Sequence, residues 1–309
     1  YIFYLPPDTP RNVRRFMAIV RPKIAVFVKY EFWVNYLLAM KRAGTKLYLI
    51  SSIFRDGQIF FRPYGGLFRS ALRAFRHIFV QNDSSRNLLK SIGIEQVSVA
   101  GDTRFDRVYE IAQQAKRLPE IERFAADAPV FIAGSTWPPD EELLVGLIER
   151  YPDVKFIVAP HEIDPARIEK FCERISRPAL RYTQLTPQSD LAAAGVLFVD
   201  TIGILSSVYR YGRWGYIGGG FGAGIHNTLE AATFGLPLAF GPRYGKFREA
   251  RDLVTLRGAA SIASAEELER WFAGLHDDPD ATGRSGTICK EYVLQHKGAT
   301  ARIMDEICR

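Results

Sequence analysis

Short apolar runs alternate with amphipathic stretches along most of this 309-residue chain, the pattern of βαβ units and a parallel sheet. In the first half the runs predict strands at Ile24–Val28, Leu47–Ser51, Ile78–Val80 and Val97–Ala100. Between them, Glu31–Ala43 carries apolar residues at spacings of three and four and closes at Gly44, which predicts a helix with a glycine stop. Asp83 and Ser84 are placed to cap a second helix, Ser85–Ile92, ending at Gly93. The polar stretch Ala112–Asp127, with Pro119, reads as a boundary. Beyond it, strands are predicted at Val130–Ala133, Lys155–Ala159, Val196–Val199, Trp214–Ile217 and Leu236–Phe240. Helices are predicted at Pro139–Arg150, Pro165–Arg174, Asn227–Phe234 and Ala265–Leu275.

The expected architecture is two doubly wound, Rossmann-like α/β domains facing each other across a cleft, with ligands at the carboxyl ends of the strands. Residues 1–118 form the first, 125–285 the second, and 286–309 a C-terminal helix that packs back on the first. Four strands are few for a doubly wound domain, and the apolar run Tyr1–Leu5 reads as already structured. The expectation is therefore that βα units are missing from the N-terminus, a naturally small first domain being the alternative.

Composition narrows the class. With 47% hydrophobic and 24% charged residues, a disordered chain, a collagen and a coiled-coil rod are excluded. The net charge of +7 is unevenly placed: residues 1–124 hold 21 Lys and Arg against 10 Asp and Glu, whereas residues 125–309 hold 20 against 24. A basic first half points to an anionic partner, whether nucleic acid, an anionic membrane surface or a phosphorylated substrate. Three widely spaced cysteines, Cys172, Cys289 and Cys308, fit a reducing compartment better than a disulfide framework or a zinc site. No apolar run reaches the ~18 residues of a transmembrane helix. The opening at Tyr1 has no signal-peptide pattern and suggests a processed chain or a fragment.

The densest chemical signal is Gly218-Gly219-Gly220-Phe221-Gly222-Ala223-Gly224-Ile225-His226-Asn227-Thr228-Leu229-Glu230, directly after a predicted strand. A glycine-rich turn into a helix lets backbone N–H groups approach an anion, which makes Gly222 and Gly224 candidates for a phosphate loop. The plain alternative is a tight turn with no ligand. No Gly-Lys-Ser/Thr follows, so this is no Walker loop, and the acidic residue of a dinucleotide fingerprint is absent downstream. Glu230, one turn into the helix, is placed to accept hydrogen bonds from both hydroxyls of a ribose.

Here the residues resemble a family. The run Gly218–Phe247 is similar to the nucleotide-binding signature of the 3-deoxy-D-manno-octulosonic acid (Kdo) transferases, inverting glycosyltransferases of the two-domain GT-B type. Lys29-Tyr30-Glu31-Phe32-Trp33-Val34-Asn35 resembles that family's Glu-x-Glu-Leu-Trp-Pro-Asn segment. Gly101-Asp102-Thr103-Arg104-Phe105-Asp106 resembles its Gly-Asn-x-Lys-Phe-Asp, and Gly134-Ser135-Thr136 with Glu141-Glu142 its Ser-Thr-x-x-x-Glu-Glu.

The resemblance implies transfer of Kdo from CMP-Kdo to the lipid A precursor in lipopolysaccharide biosynthesis, at the cytoplasmic face of a Gram-negative inner membrane, without a metal or other cofactor. It implies CMP contacts at Pro160, His161, Ile202, Gly203, Ile204, Asn227, Thr228, Leu229 and Glu230. It assigns Glu31 a supporting catalytic role, orienting the acceptor or a base carried by a missing N-terminal glycine-rich turn. Three positions depart from the family pattern: His161 replaces an Arg, Ile204 a Glu, and Lys29 the first acid of the Glu-x-Glu segment. Another GT-B sugar-nucleotide transferase, an epimerase, or a non-catalytic nucleotide- or lipid-binding module are the competing readings.

The basic half holds Arg55, Arg62, Arg69, Arg73 and Arg76 against the single acid Asp56, interleaved with aromatic and aliphatic residues. Such a mixture suits an anionic glycolipid and the inner membrane surface. The expectation is no nucleic-acid partner, since no RRM, KH or double-stranded-RNA signature is present.

Overall fold

Every strand pairing in the computed structural model, which describes residues 1–308, is parallel. The chain folds as two units, one formed by Tyr1–Asp106 together with the chain from His296 on, the other by Arg107–Gln295.

In the first unit, β1 (Ile24–Val28), β2 (Lys46–Ser52), β3 (His77–Val80) and β4 (Val97–Val99) pair in chain order. Right-handed crossovers in a sheet ordered this way place the connecting helices on one face. There Leu47, Leu49, Ile78 and Val80 meet Leu37 and Met40 of helix Val34–Arg42, Leu72 of helix Gly66–Leu72 and Leu89 of helix Asp83–Ser91. The alternate residues Tyr48 and Phe79 point to the other face, which the C-terminal helix Ala299–Ile307 covers with Ile303 and Ile307. Asp106 anchors that helix, accepting from the N–H groups of Gly298 and Thr300 and from the Thr300 hydroxyl.

The second unit contains β5 (Val130–Thr136), β6 (Lys155–Pro160), β7 (Ala179–Arg181), β8 (Val196–Phe198), β9 (Trp214–Ile217), β10 (Leu238–Phe240) and β11 (Ala259–Ser261), ordered β11-β10-β9-β5-β6-β8-β7. The chain builds outward from β5 on one side, then returns to place β9 on the other. The gap between the carboxyl ends of β5 and β9 is thus the topological switch point, where doubly wound sheets bind ligands. Phe131, Ala133, Phe156, Val158, Trp214 and Tyr216 bury one face against Leu144 and Leu147 of helix Pro138–Arg150 and Leu268 and Phe272 of helix Ala265–His276.

Several expectations are corrected. Tyr1–Leu5 has no regular secondary structure and its side chains are exposed. The segment expected as a polar boundary holds a helix, Pro119–Ala125, whose Ile121 and Phe124 are fully buried. Helix Val34–Arg42 begins after Glu31, and Asn82 rather than Asp83 or Ser84 caps helix Asp83–Ser91. The chain after 285 is not one helix: helix Pro279–His296 ends before Gly298, whose φ of 100° breaks the path into Ala299–Ile307.

Candidate functional site

At the switch point, β5 continues into Trp137-Pro138-Pro139-Asp140 and β9 into the glycine-rich loop. The two prolines pre-set the first helical turn. Asp140, in that turn, reaches back to accept from the Trp137 N–H at 2.9 Å. The same buried carboxylate accepts from the Tyr216 hydroxyl at 2.7 Å and from the Gly219 N–H at 2.9 Å. One side chain therefore ties β9, the loop after it and the helix after β5 together.

Close packing explains two of the glycines. A Cβ on Gly218 would lie 2.2 Å from the Ser135 carbonyl oxygen, and one on Gly220 2.6 Å from the backbone of Gly241. The loop also spends its own donors. The N–H groups of Gly222 and Gly224 both point to the Gly219 carbonyl, at 3.0 and 3.3 Å, and Arg243 Nη1 donates to the Gly222 carbonyl. In this structure the amides of Gly222 and Gly224, expected to form a phosphate loop, are thus committed inside the turn. What the loop encloses instead is a cavity of about 350 Å³ lined by Trp137, Pro139, Asp140, Phe221 and His226 with the glycines between them.

Three rings stack beside this cavity. The centroids of His161 and His226 are 4.2 Å apart, and Trp137 lies 4.8 Å from His161. Trp137 Nε1 donates to His226 Nε2 at 3.0 Å. Burial, then the neighbouring His161, pushes the His226 imidazole below its usual pKa, with Asp140 opposing.

The other expected nucleotide contacts lie at neighbouring carboxyl ends of the same sheet. Pro160 closes β6, and His161, exposed, donates its N–H to the Thr136 carbonyl. Asn227 caps helix Thr228–Thr233 through its side-chain oxygen to the Leu229 N–H, while its Nδ2 donates to Glu230 Oε1 at 2.9 Å. Thr228 and Leu229 are buried, and among the described residues Thr228 Oγ1 has no partner. Ile202 is almost fully exposed and Gly203 has φ 93°, in the loop after β8. That loop follows Asp200, whose buried carboxylate accepts from Arg181 Nε and from the N–H and hydroxyl of Thr183 at 2.6 to 2.9 Å. Those hydrogen bonds hold the Asp200 pKa below the usual range despite burial. Trp137, Asp140 and Asp200 carried no sequence expectation; only Asp140, in the first turn after Pro-Pro, had a readable signal, that of a helix start.

In the first unit, Glu31 is exposed and accepts from the Trp33 indole N–H. Near it in sequence, Lys29 Nζ lies 3.8 Å from the buried carboxylate of Asp102, which Arg104 Nε also approaches at 2.8 Å. Lys29 and Ser51, at the ends of β1 and β2, both have positive φ, 59° and 52°, and the Ser51 hydroxyl lies 2.9 Å from that of Thr103. The arginine patch is less uniform than its composition. Arg55, Arg62 and Arg73 are exposed, but Arg69 donates to the carbonyls of Phe60, Arg62 and Pro63. Phe60, Leu72 and Phe75 are core, leaving Tyr64 and Leu67 as the patch's exposed large apolar side chains. Among the described residues no helix is long and apolar enough to cross a membrane.

Residues 1–107 match a family model described as 3-deoxy-D-manno-octulosonic-acid transferase (kdotransferase). A 3-deoxy-D-manno-octulosonic acid transferase of Bordetella pertussis is 25% identical over 98% of this chain and 73% of its own length. That of Haemophilus influenzae is 24% identical over the same shares. Among solved structures, the C-terminal CMP-Kdo binding domain of WaaA from Acinetobacter baumannii aligns over 62% of this chain and 99% of its own, at 22% identity and a TM-score of 0.50. A UDP-GlcNAc 2-epimerase from Neisseria meningitidis aligns over 97% of this chain and 79% of its own, at 14% identity and a TM-score of 0.67, a likeness of fold. The chain thus has the fold of GT-B glycosyltransferases and epimerases, and it is similar over nearly its whole length to 3-deoxy-D-manno-octulosonic acid transferases, whose family model matches its first third.

Proposed function

We propose that this chain serves the transfer of Kdo from CMP-Kdo to a hydroxyl of a lipid A precursor, with inversion and without a metal, at the cytoplasmic face of a Gram-negative inner membrane, the catalytic base being expected outside these residues. The observation that carries the donor side is the Asn227–Glu230 hydrogen bond at the carboxyl end of β9. It fixes one carboxylate oxygen and leaves the group the acceptor capacity to take both ribose hydroxyls. His161, exposed one residue past β6, then serves the phosphate as an imidazole, where the family pattern described above has a guanidinium. Departure of CMP needs its phosphate charge met by such groups, and attack needs the acceptor hydroxyl deprotonated. Glu31 supports the acceptor side, and the exposed Arg55, Arg62 and Arg73 with Tyr64 and Leu67 meet the phosphates and the membrane surface.

The test is calorimetric titration with CMP. Glu230→Ala is expected to weaken binding by about 1–3 kcal/mol, the hydrogen bonds lost. An unchanged titration, or tighter binding of UDP-GlcNAc than of CMP, overturns the assignment.

A further inference from the structure

The stack of Trp137, His161 and His226 has a chemical asymmetry. An indole N–H only donates, so the bond from Trp137 Nε1 to His226 Nε2 at 3.0 Å requires a lone pair on that nitrogen. The proton of a neutral His226 then sits on Nδ1, which has no partner among the described residues. Adding a second proton would place an N–H against the indole N–H, in a partly buried ring 4.2 Å from His161. The groups acting on this ring are His161, whose charge opposes protonation, and Asp140, which favours it but already accepts from Trp137, Tyr216 and Gly219. Burial, His161 and the indole N–H thus all disfavour a second proton on His226.

We propose that His226 is a neutral Nδ1–H donor to an anionic oxygen of the bound sugar nucleotide, and that Trp137 is the positioning residue that fixes this tautomer. The proposal rests on the nucleotide reading of the site and extends it to two residues outside the expected contact set. It also gives the cavity beside the glycine loop a role: its wall is where the donor tautomer is set. Asp140 fastens the backbone that carries each ring, accepting from the Trp137 N–H and from the Gly219 N–H in the loop that leads to His226.

The experiment is nitrogen-15 NMR of the histidine rings in the full chain across pH 5.5–8, with and without CMP. The expected result is that the neutral form of His226 is the Nδ1–H, Nε2-acceptor tautomer, with its Nδ1 signal moved by CMP. Trp137→Phe keeps an aromatic ring and removes the donor, so His226 should populate the other tautomer and titrate closer to its usual pKa. His226→Asn, which retains a donor near Nδ1, should keep CMP affinity within about threefold, whereas His226→Ala should lose roughly tenfold, about one hydrogen bond. An unaltered tautomer in Trp137→Phe overturns the role of Trp137, and CMP binding that leaves Nδ1 unmoved overturns that of His226. Failure of the unsubstituted chain to bind CMP overturns the nucleotide reading itself, and the ligand role of His226 with it.

Discussion

Asp140 accepts a hydrogen bond from the Gly219 N–H at 2.9 Å, joining the first turn after β5 to the glycine loop after β9. A buried acid inside a glycine-rich turn places a carboxylate where a phosphate cradle would need open amides. The bond shows that at least the Gly219 amide is spent on holding the loop in place.

Replacing Asp140 tests that. Asp140→Ala leaves the Tyr216 hydroxyl and the Gly219 N–H without their buried acceptor, at ~1–3 kcal/mol for each group left unpaired. Thermal unfolding should show a correspondingly lower Tm. An unchanged Tm would mean that the loop holds its shape without this anchor.

Gly134 is a second fixed point of the site. A Cβ there would lie 2.0 Å from the Tyr209 hydroxyl and 2.9 Å from its ring carbon, so Gly134→Ala should destabilise the chain by ~1–3 kcal/mol through overpacking. Adding Tyr209→Phe removes the nearest atom and should restore part of the loss. Strictly additive effects in a double-mutant cycle would rule out this contact as the cause.

His276 bridges Asp277 and Asp153 at 2.8 Å each. These bonds raise the imidazole above its usual 6.5. A raised value in the folded state means stabilisation that is complete below about pH 6.5 and fades as pH rises through the folded value. Compared with His276→Gln, the chain should lose relative stability between about pH 6.5 and 8.5. The carboxylates are largely exposed, so the amount is about 1 kcal/mol or less. Urea unfolding of both proteins at the two pH values measures it, and parallel curves would exclude the charged bridge.

The arginines should separate into two classes. Arg69→Ala removes hydrogen bonds to three carbonyls and is expected to lower stability by ~1–3 kcal/mol. Arg62→Ala, at an exposed site, should leave stability unchanged and weaken binding to anionic vesicles, with the deficit shrinking as salt is raised. Vesicle binding that is insensitive to salt would remove the electrostatic account of the patch.

Most strands were legible because parallel strands buried on both faces read as continuous apolar runs, as β9 does. β1 also stands where its apolar run placed it, although Ile24, Val26 and Val28 are exposed. Ala179–Arg181 and Ala259–Ser261 escaped because three residues at a sheet edge carry too little apolar signal. Glu230 and Asn227 were legible as residues at a helix start, and the structure adds the bond between them.

The sequence alone determined the parallel α/β class, the uneven charge and the stretches that end at strand carboxyl termini, since each follows from local periodicity and composition. Only the tertiary structure decided how those ends are used. Asp140 and Gly219 are 79 residues apart, and Trp137 and His226 89. No local pattern encodes a hydrogen bond across that distance; the order in which the strands pair brings β5 and β9 side by side and makes these residues neighbours. For the same reason Arg69, a surface cation by composition, proved to be a structural donor: its role was set by which carbonyls the folded turn presents to it.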